Sequence, residues 1–147
     1  MSLVRRHPIG WRGYVLPRLQ AGHSALTASL ILGAFWGLWH LPLWLTGDPV
    51  RTPGLYAAFF VSVVALSVIL AWVYNSTGGS LLTVVLLHAT ANLPVSLAIN
   101  GMGADATAPV LLYFGLLVVV AIVVVLVAGP AQLSRSRERQ VQPEDGQ

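Results

Sequence analysis

The stretch Pro109-Val110-Leu111-Leu112-Tyr113-Phe114-Gly115-Leu116-Leu117-Val118-Val119-Val120-Ala121-Ile122-Val123-Val124-Val125-Leu126-Val127-Ala128 decides the fold class. It holds no Asp, Glu, Lys or Arg. As a helix rising 1.5 Å per residue it reaches about 30 Å, the hydrocarbon thickness of a bilayer. Three more stretches of this kind precede it, at about 24–45, 55–74 and 80–99, and none of them carries an acidic or basic residue. Turn residues separate them: Gly47-Asp48-Pro49, Asn75-Ser76-Thr77-Gly78-Gly79 and Asn100-Gly101-Met102-Gly103. No alternating strand pattern is present, and a chain in lipid must satisfy its own backbone, so these are helices. The expectation is an all-α, polytopic membrane bundle of about four transmembrane helices.

Composition agrees. Length alone, at 147 residues, would suit one soluble domain, but 56% of the residues are hydrophobic and only 9% are charged. A soluble domain carries roughly 25% charged residues. The mean hydropathy of +0.75 excludes a disordered chain as well. There is no cysteine, which removes disulfides, thiolate metal sites and cysteine nucleophiles.

All eight basic residues are arginines, and they gather at the two ends. That pattern points to an anionic membrane surface rather than to nucleic acid. Arg5, Arg6, Arg12 and Arg18 precede the first span; Arg135, Arg137 and Arg139 follow the last; only Arg51 lies in a connecting loop. The bias predicts an integral membrane protein with both termini cytoplasmic. Trp11, Trp44, Trp72 and Tyr74 lie near span ends, where amphipathic rings settle. The first apolar stretch is too long for a cleavable signal peptide and lacks a small-residue cleavage site. The polar segment 129–147 is expected to be a disordered cytoplasmic tail.

The informative residues are those that lipid should not hold. His40 lies deep in the first span; His88 and Asn92 lie in the third, four residues apart and so on one helix face. An imidazole or amide buried without a partner costs several kcal/mol, so each should face protein or a wet cavity. Gly33 and Gly37 form a G-x-x-x-G pair that lets helices approach closely, and His40 shares their face. The economical arrangement packs the first span against the third with both histidines inward. Pro42 and Pro94 each follow a polar residue by two positions, where a proline kinks a helix and frees a carbonyl. A lone membrane histidine often only bridges two helices. Two on separate spans, one with an Asn a turn away, favour a site. Trp36 and Trp39 read as packing residues, His23 as interfacial, and Asn75-Ser76-Thr77 as a turn and cap.

These residues bring a family into view. Ile9-Gly10-Trp11-Arg12-Gly13-Tyr14-Val15-Leu16-Pro17-Arg18-Leu19 resembles a block of the CPBP (CAAX protease and bacteriocin-processing, or Abi) intramembrane endopeptidases. Trp36 to His40 is similar to that family's F-x-x-x-H motif, with Trp for Phe. His88 to Asn92 is similar to its histidine followed four residues later by Asn, and Thr77-Gly78-Gly79-Ser80-Leu81-Leu82 before it is also typical. The family's first motif, E-E-x-x-x-R, is matched only in part. Arg12 supplies the arginine, but His7 and Pro8 occupy the glutamate positions, and no acidic residue precedes Asp48. On this resemblance, residues 1–128 form the C-terminal part of a CPBP-type membrane domain that is truncated, frameshifted or mis-started, or else belong to a degenerate homologue.

The resemblance implies an intramembrane metalloendopeptidase of a bacterial plasma membrane, acting on membrane-associated, prenylated or leader peptides. In such a site a glutamate activates water. His40 and His88 would be ligands of a divalent metal such as zinc, or would position the water. Asn92 would donate to the oxyanion, and Arg12 would orient a glutamate. Without that pair the expectation is impaired catalysis. Two other readings stand beside it: a non-catalytic membrane immunity or scaffold protein derived from the family, and a small transporter component using the histidines as a proton relay. No acid lies in the spans to serve such a relay.

Overall fold

A computed structural model of the chain describes residues 11–45 and 52–134. The described residues are helices and short connections, without strands. A π-helical turn at Trp11–Val15 leads into α1 (Leu16–Gly22), which turns at His23 into α2 (Ala25–Trp39) and the short α3 (Leu41–Trp44). Then follow α4 (Pro53–Ser76), α5 (Leu81–Met102) and, after a 3₁₀ turn at Gly103–Ala106, α6 (Thr107–Ala128). Three of these helices, α4, α5 and α6, are long and apolar enough to cross a bilayer, and α2 is a shorter apolar helix. The protein is an all-α membrane bundle.

Local chemistry sets the helix ends. Ser24, Thr52 and Ser80 each stand just before a helix and accept a hydrogen bond from the backbone N–H three residues on. Pro53 occupies the first position of α4, where a missing N–H costs nothing. The expected first span is delivered in two pieces. Pro42 has no N–H to continue the ladder, so the chain breaks at His40 and resumes with tighter bonds: Leu43 N–H to His40 C=O and Leu45 N–H to Pro42 C=O. The third span runs further than its turn-like sequence suggested. Asn100 turns its side-chain N–H back to the Ser96 carbonyl and stays helical, and the helix stops at Gly103, whose φ is +57°.

α4 is the centre of the bundle, packed against α2 on one side and α6 on the other. The G-x-x-x-G pair expected to join the first span to the third joins the first to the second instead. Ala25, Ser29, Gly33 and Gly37 recur every four residues on α2 and set a buried stripe against α4. A Cβ on Gly33 would lie 2.8 Å from Ser67 Cβ and 2.9 Å from Val64 Cα; one on Gly37 would meet the Phe60 ring at 2.6 Å. Hydrogen bonds lock the pair: Ser67 O–H to the Ser29 carbonyl at 2.9 Å and Tyr56 O–H to the Gly37 carbonyl at 3.2 Å. Helices consecutive in sequence are the natural antiparallel neighbours, and the small stripe takes the nearer partner.

α5 is buried along very little of its length. Tyr113 O–H of α6 ties it in, donating to the Ala91 carbonyl at 2.7 Å in the turn that Pro94 loosens. At one face of the bundle the chain after α6 folds back. The Ala131 and Pro130 carbonyls accept the N–H groups of Ala25 and Leu26, Asn75 donates to the Gln132 carbonyl, and Leu133 is fully buried. The segment expected as tail thus begins as a clasp over the first turn of α2. Its remaining residues, 135–147, lie outside the described residues, as do His7 and Pro8.

Candidate functional site

Trp36 organises the site. It lies a turn before His40 on α2, and three of the four residues singled out from the sequence meet it. The His40 ring lies 5.9 Å from the indole, between centroids. The His88 ring of α5 meets the indole edge-on at 4.9 Å. The Arg12 guanidinium carbon lies 5.2 Å from the ring centroid, in cation–π contact. The sequence reading took Trp36 for packing. The signal that marked it was the aromatic position of the motif ending at His40.

Each polar group is held by its own element. His40 Nδ1 lies 2.7 Å from the Trp36 carbonyl. A carbonyl only accepts, so Nδ1 carries the proton and Nε2 of the neutral ring keeps its lone pair. Phe59 of α4 packs on the same imidazole at 5.3 Å. Arg12 projects from the π-helical turn, a geometry frequent at functional sites, and an N–H of its guanidinium reaches Ser67 Oγ of α4 at 3.5 Å. Ser67 escaped the sequence reading because a serine in a membrane helix usually serves only its own backbone. Here its O–H reaches across to α2 and its oxygen faces Arg12.

The site lies well inside the length of the helices. The start of α2, the end of α4 and the segment 129–134 meet at one face. Counted from that face at 1.5 Å per residue, His88 is about 10 Å deep, Ser67 about 14 Å and Trp36 about 16 Å. Arg12, held by Trp36 and Ser67, is therefore set at the same depth among the helices.

Between α2 and α5 runs a groove of about 580 Å³. Leu32, Phe35 and Trp39 of α2 line it opposite Leu81 and Val84 of α5, with Arg12, Trp36 and His88 supplying its polar or aromatic points. Asn92, the fourth residue singled out, is placed elsewhere. It is exposed a turn beyond His88, outside the groove lining.

The chemistry of the cluster is one-sided: a cation, two imidazoles and no carboxylate. Among the described residues no group of three or more His, Cys, Asp or Glu is gathered. Two imidazoles fall short of the three protein ligands that a catalytic zinc centre needs. The described residues alone do not fit such a metal.

Residues 9–94 match a protein-family model, that of the type II CAAX prenyl endopeptidase Rce1-like proteins. The match spans Arg12, His40, His88 and Asn92. The chain is also 30% identical, over 91 residues, to CAAX prenyl protease 2 of Methanococcus maripaludis, a match that covers 58% of this chain and 34% of that relative. The matched region is thus about a third of the relative's length. No solved structure matches the chain.

Proposed function

The chain belongs to the type II CAAX prenyl endopeptidase Rce1-like family, and from that premise we propose that it forms the histidine-bearing part of an intramembrane endopeptidase. Its substrates are membrane-associated peptides, prenylated or leader-type. The observation that supports this reading most is the convergence of His40, His88 and Arg12 on Trp36 beside a groove at membrane depth. There His88 lines the groove and Arg12 offers N–H donors to an anion or a polarised carbonyl, while His40 stands off the groove lining, against Trp36 and Phe59.

Hydrolysis by this chain is impaired. The positions that match the family's paired glutamates hold His7 and Pro8. Asp105, the one acidic residue among the described residues, lies past the opposite end of α5. The same shortage of acid supports a second reading, a membrane immunity or scaffold protein that keeps the fold without the chemistry.

A prenylated reporter peptide separates the two. The purified chain is expected to cleave no faster than its His88→Ala variant, whereas His7→Glu combined with Pro8→Glu should raise cleavage, and adding His88→Ala should abolish the gain. Cleavage by the unmodified chain that His88→Ala removes would overturn the impairment. A glutamate pair that restores nothing would favour the scaffold.

The face bearing Gly129 to Ser134 is the cytoplasmic one on this reading, because Arg135, Arg137 and Arg139 follow it. Reaction of a Ser136→Cys variant in intact cells with a thiol reagent that cannot cross membranes would contradict that orientation.

A further inference from the structure

We propose that the groove between α2 and α5 binds a single-chain amphiphilic acid, with its carboxylate on Arg12 beside His88 and its alkyl chain along the apolar walls. Binding of this ligand is independent of whether the chain hydrolyses peptides.

The groove has the size of a small-ligand site, about 580 Å³. It is also long. From Leu81, at the start of α5, to Trp39, at the end of α2, it extends about 20 Å along the helices, of which about 15 Å lies between Leu81 and the level of Trp36, where Arg12 stands. Its walls come from two helices that pack on α4 and stand apart from each other, so side chains such as Leu32, Phe35, Leu38, Val84 and Val85 face a shared slot. That shape takes one extended hydrocarbon chain.

The head group follows from Arg12. A guanidinium carries five N–H donors and keeps its charge at any physiological pH. Among the described residues this one is met by Ser67 Oγ at 3.5 Å and by the face of Trp36. Asp105, the described acidic residue, is past the far end of α5 and cannot pair with it. A cation at membrane depth is costly until an anion answers it. A carboxylate matches the guanidinium fork with two parallel hydrogen bonds. His88, against the same indole and on the groove lining, is placed to hydrogen-bond the same head. The occupant is a single-chain acid rather than a phospholipid, because the slot holds one chain and the cation lies well below the interface where lipid phosphates reside.

The test uses fluorescence of the purified chain in zwitterionic nanodiscs, at alkaline pH where a fatty acid is ionised. Trp36 and Trp39 line the groove, so a dibrominated chain bound there quenches them. Dibromostearate should quench at about tenfold lower mole fraction than its methyl ester, as one charge-assisted hydrogen bond warrants. Arg12→Gln should erase that preference, Arg12→Lys should keep only the part owed to charge alone, and Trp36→Phe should remove much of the saturable quenching. Equal quenching by acid and ester would overturn the proposal. So would a preference that survives in Arg12→Gln, or dibrominated phosphatidic acid quenching as well as the fatty acid.

Discussion

At the scale of single residues, the site rests on which atoms are already committed. His40 gives its Nδ1 proton to the carbonyl one turn back, a bond of 2.7 Å that leaves Nε2 as the working nitrogen. Nitrogen NMR of isotope-labelled histidine should therefore find neutral His40 as the Nδ1–H tautomer, and an Nε2–H tautomer would contradict this geometry. His40 and His88 could be found from sequence because polar groups are rare in these spans and each is expensive there, whereas Arg12, which precedes the expected spans, was marked only by the motif resemblance. Trp36 was marked only by its place in the motif ending at His40, since an indole that packs and an indole that gathers an arginine and two histidines otherwise look alike in sequence. Asn92 marks a different limit. A spacing of four residues puts it on nearly the same face of α5 as His88, yet only the surrounding helices decide how much of that face is covered, and Asn92 is exposed.

At the scale of helices, packing in lipid has little hydrophobic drive between spans, so close contact and hydrogen bonds carry it. The α2–α4 seam shows this, with Gly33 against Val64 and Ser67 and with Ser29 and Gly37 carbonyls taken by α4 hydroxyls. Gly33→Leu should cost about 1–3 kcal/mol or more by overpacking. The expected sign is a lower melting temperature in detergent, together with loss of the Arg12–Ser67 contact. Gly22 meets nothing within 4 Å, and Gly22→Ala should leave the melting temperature close to that of the parent. An unchanged melting temperature for Gly33→Leu would refute the seam. The helix starts at Ser24 and Ser80 were legible because capping chemistry is local. The break at His40 was legible from Pro42. The partner of the glycine stripe was not, because G-x-x-x-G says that two helices touch without saying which.

At the scale of the whole molecule, the bundle is asymmetric. α4 is enclosed by α2 and α6, whereas α5 is largely exposed, packs through one edge from Val84 to Ile99, is tied by Tyr113, and faces α2 across the groove. Composition placed the chain in a membrane, and the same shortage of charge explains why, among the described residues, the cluster has a cation and imidazoles but no acid beside it. The matched relative is about three times as long as the region it shares with this chain. The activity of such a whole protein is thus a proposal for this one. The arrangement of α5 across from α2 carries the site, the groove and the functional reading together. Because the chain has no cysteine, it can be measured without background. A Trp36→Cys and His88→Cys double variant, treated in membranes with a short bifunctional thiol reagent, should cross-link efficiently. A Trp36→Cys and Leu86→Cys pair, with the second thiol on the far side of α5, should not. Equal cross-linking of both pairs, or none at positions 36 and 88, would contradict the convergence of the two helices on one intramembrane site.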